Sequence, residues 1–334
     1  MMSSTKVRIW FYGITAVGLS TYITYATWMP GSSYTGTPPP LSSEQAAVRE
    51  RLRGHVKRLA SEIGARNVDH PERYGEARDY LKENLEDLTN TKTHQVKLEE
   101  LERAGDGATN LLLDIPGTLG SDIVVVGAHY DSCNESPGAN DNATGVAVAL
   151  ELARAIAMKP ANNTVRVVLF ANEEPPFFKR PGMGSRTNSA HAKRRNDPIR
   201  GMVALETMGF YSDKPNSQRY PWPIGLLYPS RGNFLAFVGD LGSRSLIHDA
   251  ISTFRASASF PSEGAALPAS FPGVDWSDHW SFREEGYPAI MATDTAVYRD
   301  PHYHKRTDTA ERLDYDALAR VTFGMEAVVR RLAQ

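Results

Sequence analysis

The run Ile123-Val124-Val125-Val126-Gly127-Ala128 is apolar at every position, and it ends on His129. Successive side chains of a strand point to opposite faces, so a strand of this composition needs cover on both sides. It belongs inside a sheet with helices above and below, not at a solvated edge. Val165 to Phe170 and Met202-Val203-Ala204-Leu205 are further strands of the same apolar kind. Helical spacing separates them. Residues 143–157 place Val146, Ala149, Leu150, Ala153 and Ile156 on one face, and residues 184–195 read as another helix. Strands alternating with helices predict an α/β chain, a three-layer α/β/α domain around a mixed, mainly parallel central sheet.

Other elements complete this domain. Ser42 and Gln45 form a capping box ahead of a helix with Val48, Leu52, Val56, Leu59 and Ile63 in register. Pro71 suits the first turn of the next helix, whose apolar stripe is Tyr74, Ala77, Leu81, Leu85 and Leu88. Val96 and Leu98 alternate with polar neighbours, and with Asn110 to Ile115 they predict a hairpin. Phe234 to Val238 and Ala289 to Ala292 are further strands, and a helix over 314–332 closes the chain. Segments 212–232 and 257–280, rich in Pro, Ser and Gly, predict long loops of the kind that carry function in compact domains.

Ahead of the domain, Lys6 and Arg8 precede a stretch that carries no charge until Glu44. About 20 mostly apolar residues cross a bilayer as a helix. The positive flank predicts a cytoplasmic tail over 1–8, a single-pass anchor over 9–29 and the rest of the chain outside the cytoplasm. A cleaved signal segment followed by secretion is the alternative. Residues 30–41, with Pro38-Pro39-Pro40, read as a stiff linker to the folded domain at 42–334. The net charge is −2, without the basic excess that nucleic acid attracts. Cys133 is the single cysteine, which excludes an intramolecular disulfide and a cysteine-based zinc finger, so a metal is expected to use His, Asp and Glu.

Those residue types gather at predicted strand ends. His129 closes one strand and Asp131 follows. Asp141 lies in Gly138-Ala139-Asn140-Asp141-Asn142-Ala143-Thr144-Gly145, which opens a helix. Glu173-Glu174 follow the next strand, Glu206 ends a third, and His304 lies in Tyr303-His304-Lys305-Arg306-Thr307-Asp308-Thr309. In an open α/β sheet the carboxyl ends of the strands share one edge and collect functional side chains. So many carboxylates at a buried edge repel one another, and a divalent cation resolves the conflict. Singly, each residue has a bland reading: a hydrogen-bonded histidine, a solvated helix end. The joint pattern is specific.

That pattern resembles the M28 zinc metallopeptidases, which include bacterial aminopeptidases, enzymes of the glutamate carboxypeptidase type and glutaminyl cyclases. The matching stretches are Gly127 to Ser132, Gly138 to Gly145, Asn172-Glu173-Glu174, Gly184-Ser185, Leu205-Glu206, Ser277-Asp278-His279 and Tyr303-His304, spread over roughly residues 45–334. The resemblance implies a zinc-peptidase/phosphorylase-like fold and a site for two Zn²⁺. Asp141 would bridge the ions, Glu174 and His304 would complete one, and His129 and Glu206 the other. The charges close: two Zn²⁺ balance Asp141, Glu174, Glu206 and one hydroxide. The family usually has Asp where Glu206 stands, so occupancy by one zinc is the alternative. The family also implies a cis peptide between Asp141 and Asn142.

The resemblance implies peptide substrates and release of N-terminal residues. Glu173 would act as general base on the attacking water and pass the proton to the leaving amine. Tyr303 would hydrogen-bond the developing oxyanion. Asp131 would fix the tautomer of His129. Asp278 would lie near the substrate pocket or, equally, cap a helix. His279 and His302 are rivals of His304. Phe177, Phe178, Met208, Phe210, Tyr211, Trp276 and Trp280 flank the ligands as pocket candidates, with plain packing as the bland reading of each. Rival activities are a single-zinc glutaminyl cyclase, which typically has Trp shortly after the Glu pair where this chain has Phe177 and Phe178; a glutamate-type carboxypeptidase using Arg180, Arg186 or Arg231; and a non-catalytic ectodomain.

Overall fold

The computed structural model describes residues 17–18, 20–88, 96–101 and 108–334. Its strands are β1 (Val96–Glu100), β2 (Thr109–Ile115), β3 (Ile123–His129), β4 (Thr164–Phe170), β5 (Ile199–Glu206), β6 (Leu235–Asp240), β7 (Ser262–Leu267) and β8 (Ala289–Thr293). They form one sheet in the order β1-β2-β4-β3-β5-β8-β6-β7. β4, β3, β5 and β8 run parallel as neighbours, and so do β6 and β7. β1 and β2 form the expected antiparallel hairpin, and β2 and β6 run antiparallel to β4 and β8. The longer helices are α1 (Ser43–Val56), α2 (Pro71–Asp87), α3 (Gly145–Met158), α4 (Gly184–Arg195), α5 (Arg244–Ser257) and α6 (Tyr315–Leu332).

The two faces of the sheet are covered differently. On one face Val124, Val126, Val167, Leu169, Val203, Leu205 and Phe237 join a large core with residues of α1, α3, α5 and α6. On the other, Val125, Val168, Phe170, Met202 and Ala204 meet α4 and a short helix, His279–Glu284. That second cover does not extend over β6 and β7. There, loops around 220–234 and 271–276 roof the sheet over a cavity.

Two expectations need correction. The loop predicted over 257–280 contains β7, whose sequence Ser-Glu-Gly-Ala-Ala-Leu has no β-branched residue. Pairing with β6 makes it a strand. Residues 244–257, unassigned from sequence, form α5, which buries Leu246, Ile247, Ala250, Ile251 and Phe254. The helix of α1 also continues past Val56 in a wider, π-type turn to Ile63.

The first part of the expected anchor over 9–29, residues 9–16 and 19, lies outside the described residues, among which no helix is long and apolar enough to cross a membrane. Its described end departs from a simple span. The helix stops at Thr27, and Met29 is buried in the main core. The linker then follows the domain surface. Arg255 donates to the carbonyls of Met29, Pro30 and Gly31, Ser33 Oγ accepts from the Ser262 N–H, and Arg320 donates to Pro39 O.

Arg166 breaks the apolar run of β4 and holds Asp114 on β2 and Asp197 beside β5, each at 2.6 Å. Burial acts to raise both carboxyls. Arg166 outweighs it at Asp114, and Arg195 with Arg166 at Asp197, leaving both below the usual aspartate value. A depressed folded pKa gives stability that is present above about pH 4 and lost as pH falls through the folded values. Arg166→Met is expected to cost about 2 kcal/mol at pH 7, the partial exposure of the carboxylates keeping it under the 3–5 of a fully buried pair. The gap between variant and parent should narrow below pH 4, read from urea midpoints at pH 7, 5 and 3.5.

Candidate metal centre

β3, β4 and β5 are parallel neighbours, so their carboxyl ends meet at one edge. His129 ends β3, Glu206 ends β5, and Glu173 and Glu174 follow β4 directly. Asp141 enters from the loop before α3, and His304 from the loop before α6. The peptide between Asp141 and Asn142 is cis.

Asp141 stands between two imidazoles. Its Oδ1 lies 3.3 Å from His129 Nε2 and its Oδ2 lies 3.1 Å from His304 Nε2. Glu206 Oε2 is 3.4 Å from His129 Nε2, and Glu174 Oε2 is 3.2 Å from His304 Nε2. Two ligand groups result, sharing Asp141. His129, Asp141 and Glu206 make one; Glu174 and His304 lie in the other, with Cys133 beside them. Cys133 Sγ lies within 4.8 Å of the Glu174 and His304 donor atoms, a thiol beside the expected His, Asp and Glu set.

Both nitrogens of His129, Asp141 Oδ2, Glu174 Oε1 and His304 Nε2 are buried without a hydrogen-bond partner. Buried polar atoms are rarely left so, and bound cations would account for those that face the ligand groups, while His129 Nδ1 points the other way, to Asp131. The electrostatics agree. Burial, then the proximity of Asp141, pushes Glu174 up to about 8. Burial also raises Glu173 well above the carboxylate range, with Glu206, Glu174 and Asp278 adding to it. Burial acts to lower His129, and Glu173 and Glu206 nevertheless raise it well above its usual value. This concentration of negative charge fits divalent cation binding, and nitrogen and oxygen donors with a neighbouring thiol suit zinc.

Surrounding residues hold the donors in place. Asp131 Oδ1 faces His129 Nδ1 at 3.3 Å, and its two oxygens also accept from the Glu173 and Glu174 N–H groups. It thus shapes the turn that presents both glutamates. Ser277 Oγ donates to Glu206 Oε2 at 2.8 Å. Asp278 begins the 279–284 helix, but its side chain makes no capping bond, which removes the cap reading. It is buried, and that burial lifts its carboxyl to about 7. His279 turns away, with Nε2 2.7 Å from Val274 O, and His302 Nδ1 lies 2.9 Å from Thr307 Oγ1, so neither rivals His304. Tyr303 stacks on His304 and lines the cavity. Of the flanking aromatic and methionine candidates, Trp276 lines the cavity. Met208 is core, Tyr211 packs on Phe260, and Trp280 lies under Lys179 and Arg186.

The model of peptidase family M28 matches residues 110–329. The chain belongs to peptidase family M28. The uncharacterized protein YfbL of Escherichia coli (strain K12) is 34% identical over 293 residues, 85% of this chain and 88% of that one. A probable leucine aminopeptidase of Trichophyton verrucosum is 30% identical over 64% of this chain, which spans only 55% of that relative's length. Among solved structures, a zinc aminopeptidase from Bacillus subtilis shares the fold with a TM-score of 0.62 at 16% identity, covering 84% of this chain and 94% of that one. This M28 chain is accordingly a zinc-dependent metallopeptidase.

Several supports of the M28 site escape the sequence reading. Arg66 is fully buried and sends its guanidinium to the carbonyls of Tyr130, Pro137 and Gly138, clamping the loop that leads to Asp141. Asp308 accepts from the N–H groups of Asn140 and Asp141. Asn142 donates to Leu205 O and accepts from Gly145 and Thr207, tying the Asp141 loop to the end of β5. Asp308 stands in the same Tyr-His-x-x-x-Asp stretch as His304, whereas nothing local marks Arg66. Arg66→Met removes the donors from several buried carbonyls. It is expected to cost about 3–5 kcal/mol and to weaken zinc binding, read by urea unfolding and by zinc content after dialysis.

Proposed function

We propose that this metallopeptidase is a two-zinc aminopeptidase. The observation that carries the reading is the cavity beside the metal centre. It opens on Glu206 and Tyr303, its volume is about 130 Å³, and its lining is mostly apolar without Lys, Arg or His among the described residues. Such a pocket suits the side chain of an N-terminal residue. It offers nothing cationic to grip a substrate carboxylate, which argues against the glutamate-type carboxypeptidase. Arg186 is spent on Lys179 O and the Trp280 ring. The second ligand group around His129 and Glu206 favours two ions over the single zinc of a cyclase.

Bound at Asp141, Glu174, His304, His129 and Glu206, zinc supplies Lewis-acid polarisation and a water of lowered pKa. The chain's own residues do the rest. Glu173 Oε2 stands 3.9 Å from His129 Nε2, outside both ligand groups, free to accept a proton from the attacking water and return it to the leaving nitrogen. Burial, with Asp141 and Glu174 beside it, raises the Tyr303 phenol well above 10, so at neutral pH it is a donor for the carbonyl oxygen as charge develops. Negative charge from Asp278 and Glu206 favours a substrate that presents an ammonium group.

Zinc content of two ions per chain is expected. Glu173→Gln should keep the zinc and lower kcat by about 10²–10⁴ on aminoacyl anilides, and Tyr303→Phe by a smaller factor. His304→Ala should lose one ion. One zinc per parent chain, with release of pyroglutamate from Gln-initial peptides, would replace this reading with the cyclase; a chain that binds no zinc would leave the binding-only ectodomain.

The N-terminal segment is proposed to anchor the enzyme with its domain outside the cytoplasm, a reading supported by Lys6 and Arg8 ahead of the charge-free run. The full chain should then sediment with membranes and be released by detergent but not by high salt. Full-length chain in the soluble fraction would overturn this.

A further inference from the structure

The far end of the cavity holds a carboxylate that the proposed reaction does not use. Glu206 on β5 is the register partner of Thr293 on β8, Thr293 of Ala236 on β6, and Ala236 of Glu263 on β7. Residues along such a row point to the same face, at about 4.8 Å per strand. Three steps put Glu263 about 14 Å from Glu206 across the sheet. Both line the same cavity, one at the metal centre and one at the edge strand. The floor between them is apolar, with Ala236, Val238, Ala265 and Met291.

Glu263 is half-buried, and no hydrogen bond or ion pair from another described residue satisfies its carboxylate. Arg255, the cation whose charge it feels, gives its N–H groups to the carbonyls of Met29, Pro30, Gly31 and Ser262 instead. Tyr220 and Tyr228 stack on one another with ring centroids 5.9 Å apart, and both feel the Glu263 charge. Aromatic faces beside a carboxylate at the end of an apolar sleeve form a receptor for an organic cation on an alkyl stem.

We propose that the cavity selects a basic N-terminal residue: its apolar walls take the methylene stem of Arg or Lys, and Glu263 pairs with the guanidinium or ammonium. This selectivity rests on the aminopeptidase reading. The cavity is of the right order for one side chain, since about 150 Å³ accommodates a benzene ring. The metal centre holds the scissile carbonyl at one end while the cation reaches the carboxylate at the other. A neutral side chain of equal length would leave Glu263 desolvated and unpaired, which is how a polar pocket rejects an apolar analogue. Arg is expected to exceed Lys, because its planar fork meets a carboxylate with two hydrogen bonds and also stacks on tyrosine.

The test compares the zinc-loaded full chain on the 4-nitroanilides of Arg, Lys, norleucine and Leu. kcat/KM for Arg and Lys should exceed that for norleucine by about tenfold or more, a partly exposed pair being discounted for solvent screening. Glu263→Gln should abolish the preference while leaving the Leu rate within about threefold. A parent enzyme that cleaves norleucine or Leu as well as Arg overturns the proposal, and so does a preference that survives Glu263→Gln. If no anilide is cleaved, the aminopeptidase reading fails by itself, and the pocket is judged by calorimetry. Argininamide bound at least tenfold tighter than norleucinamide, with the difference lost in Glu263→Gln, upholds it; equal binding overturns it.

Discussion

Asp141 presents one carboxylate oxygen to each of two imidazoles, and the facing nitrogens of both rings make no hydrogen bond, an arrangement that a cation on either side would satisfy. Asp141 is buried, and two bare histidine nitrogens and two more carboxylates crowd it. Holding it there requires a rigid loop, and the surrounding polar network is built for that. Arg66 braces the loop from the turn that follows the first helical stretch, Asp308 from the segment before α6, and Leu205 O on β5 accepts from Asn142 of the loop. Gly138 turns the chain at φ +59, where any side chain would strike Asp141 O. Each brace ties the loop to a different part of the chain, so the loop is placed by the finished fold. Non-glycine residues with positive φ also gather here: Asn172 before Glu173, Thr207 after Glu206, and His304. For Thr207, β-branched, this is an uncommon conformation, tolerated where surrounding structure dictates it.

What could be read from sequence follows from where information is local. His129, Glu174 and Glu206 stand at or just after the ends of strands whose apolar composition is visible, and the parallel sheet brings those ends together. The capping box at Ser42 and Gln45 forms with both reciprocal bonds, because it depends on four consecutive residues. The misses are non-local. Arg66 looks like any surface arginine, and its burial is set by carbonyls more than sixty residues away. β7 has the composition of a loop, and only the row it completes with β6 makes it a strand. Cys133 has no signal of its own, and the turn after β3 brings it towards His304.

The asymmetry of the second layer gives the site its room. α4 and the 279–284 helix cover β3, β4 and β5 and close that side of the metal centre. Beyond β8 the layer is replaced by loops, and the space a helix would have filled remains as the cavity. Rigid chemistry and adaptable recognition are thus divided between the two halves of one sheet. His129 and Glu206 end parallel strands packed on both faces, and the roof of the cavity belongs to long loops, where substitution is cheapest for the fold.

The segment around 29–33 has a consequence for the edge of that sheet. β7 is the last strand, and its outward backbone groups would be a template for a strand of another molecule. Ser33 Oγ takes the Ser262 N–H, Arg255 takes Ser262 O, and Tyr228 Oη takes Gly264 O. Arg255 is itself steadied by the carbonyls of residues 29–31. What reads as a tether is therefore also a selvedge, finishing the border of the fabric. A chain trimmed back to Leu41 would leave that border raw, inviting edge-to-edge self-association along the strand that carries Glu263 at the far end of the cavity.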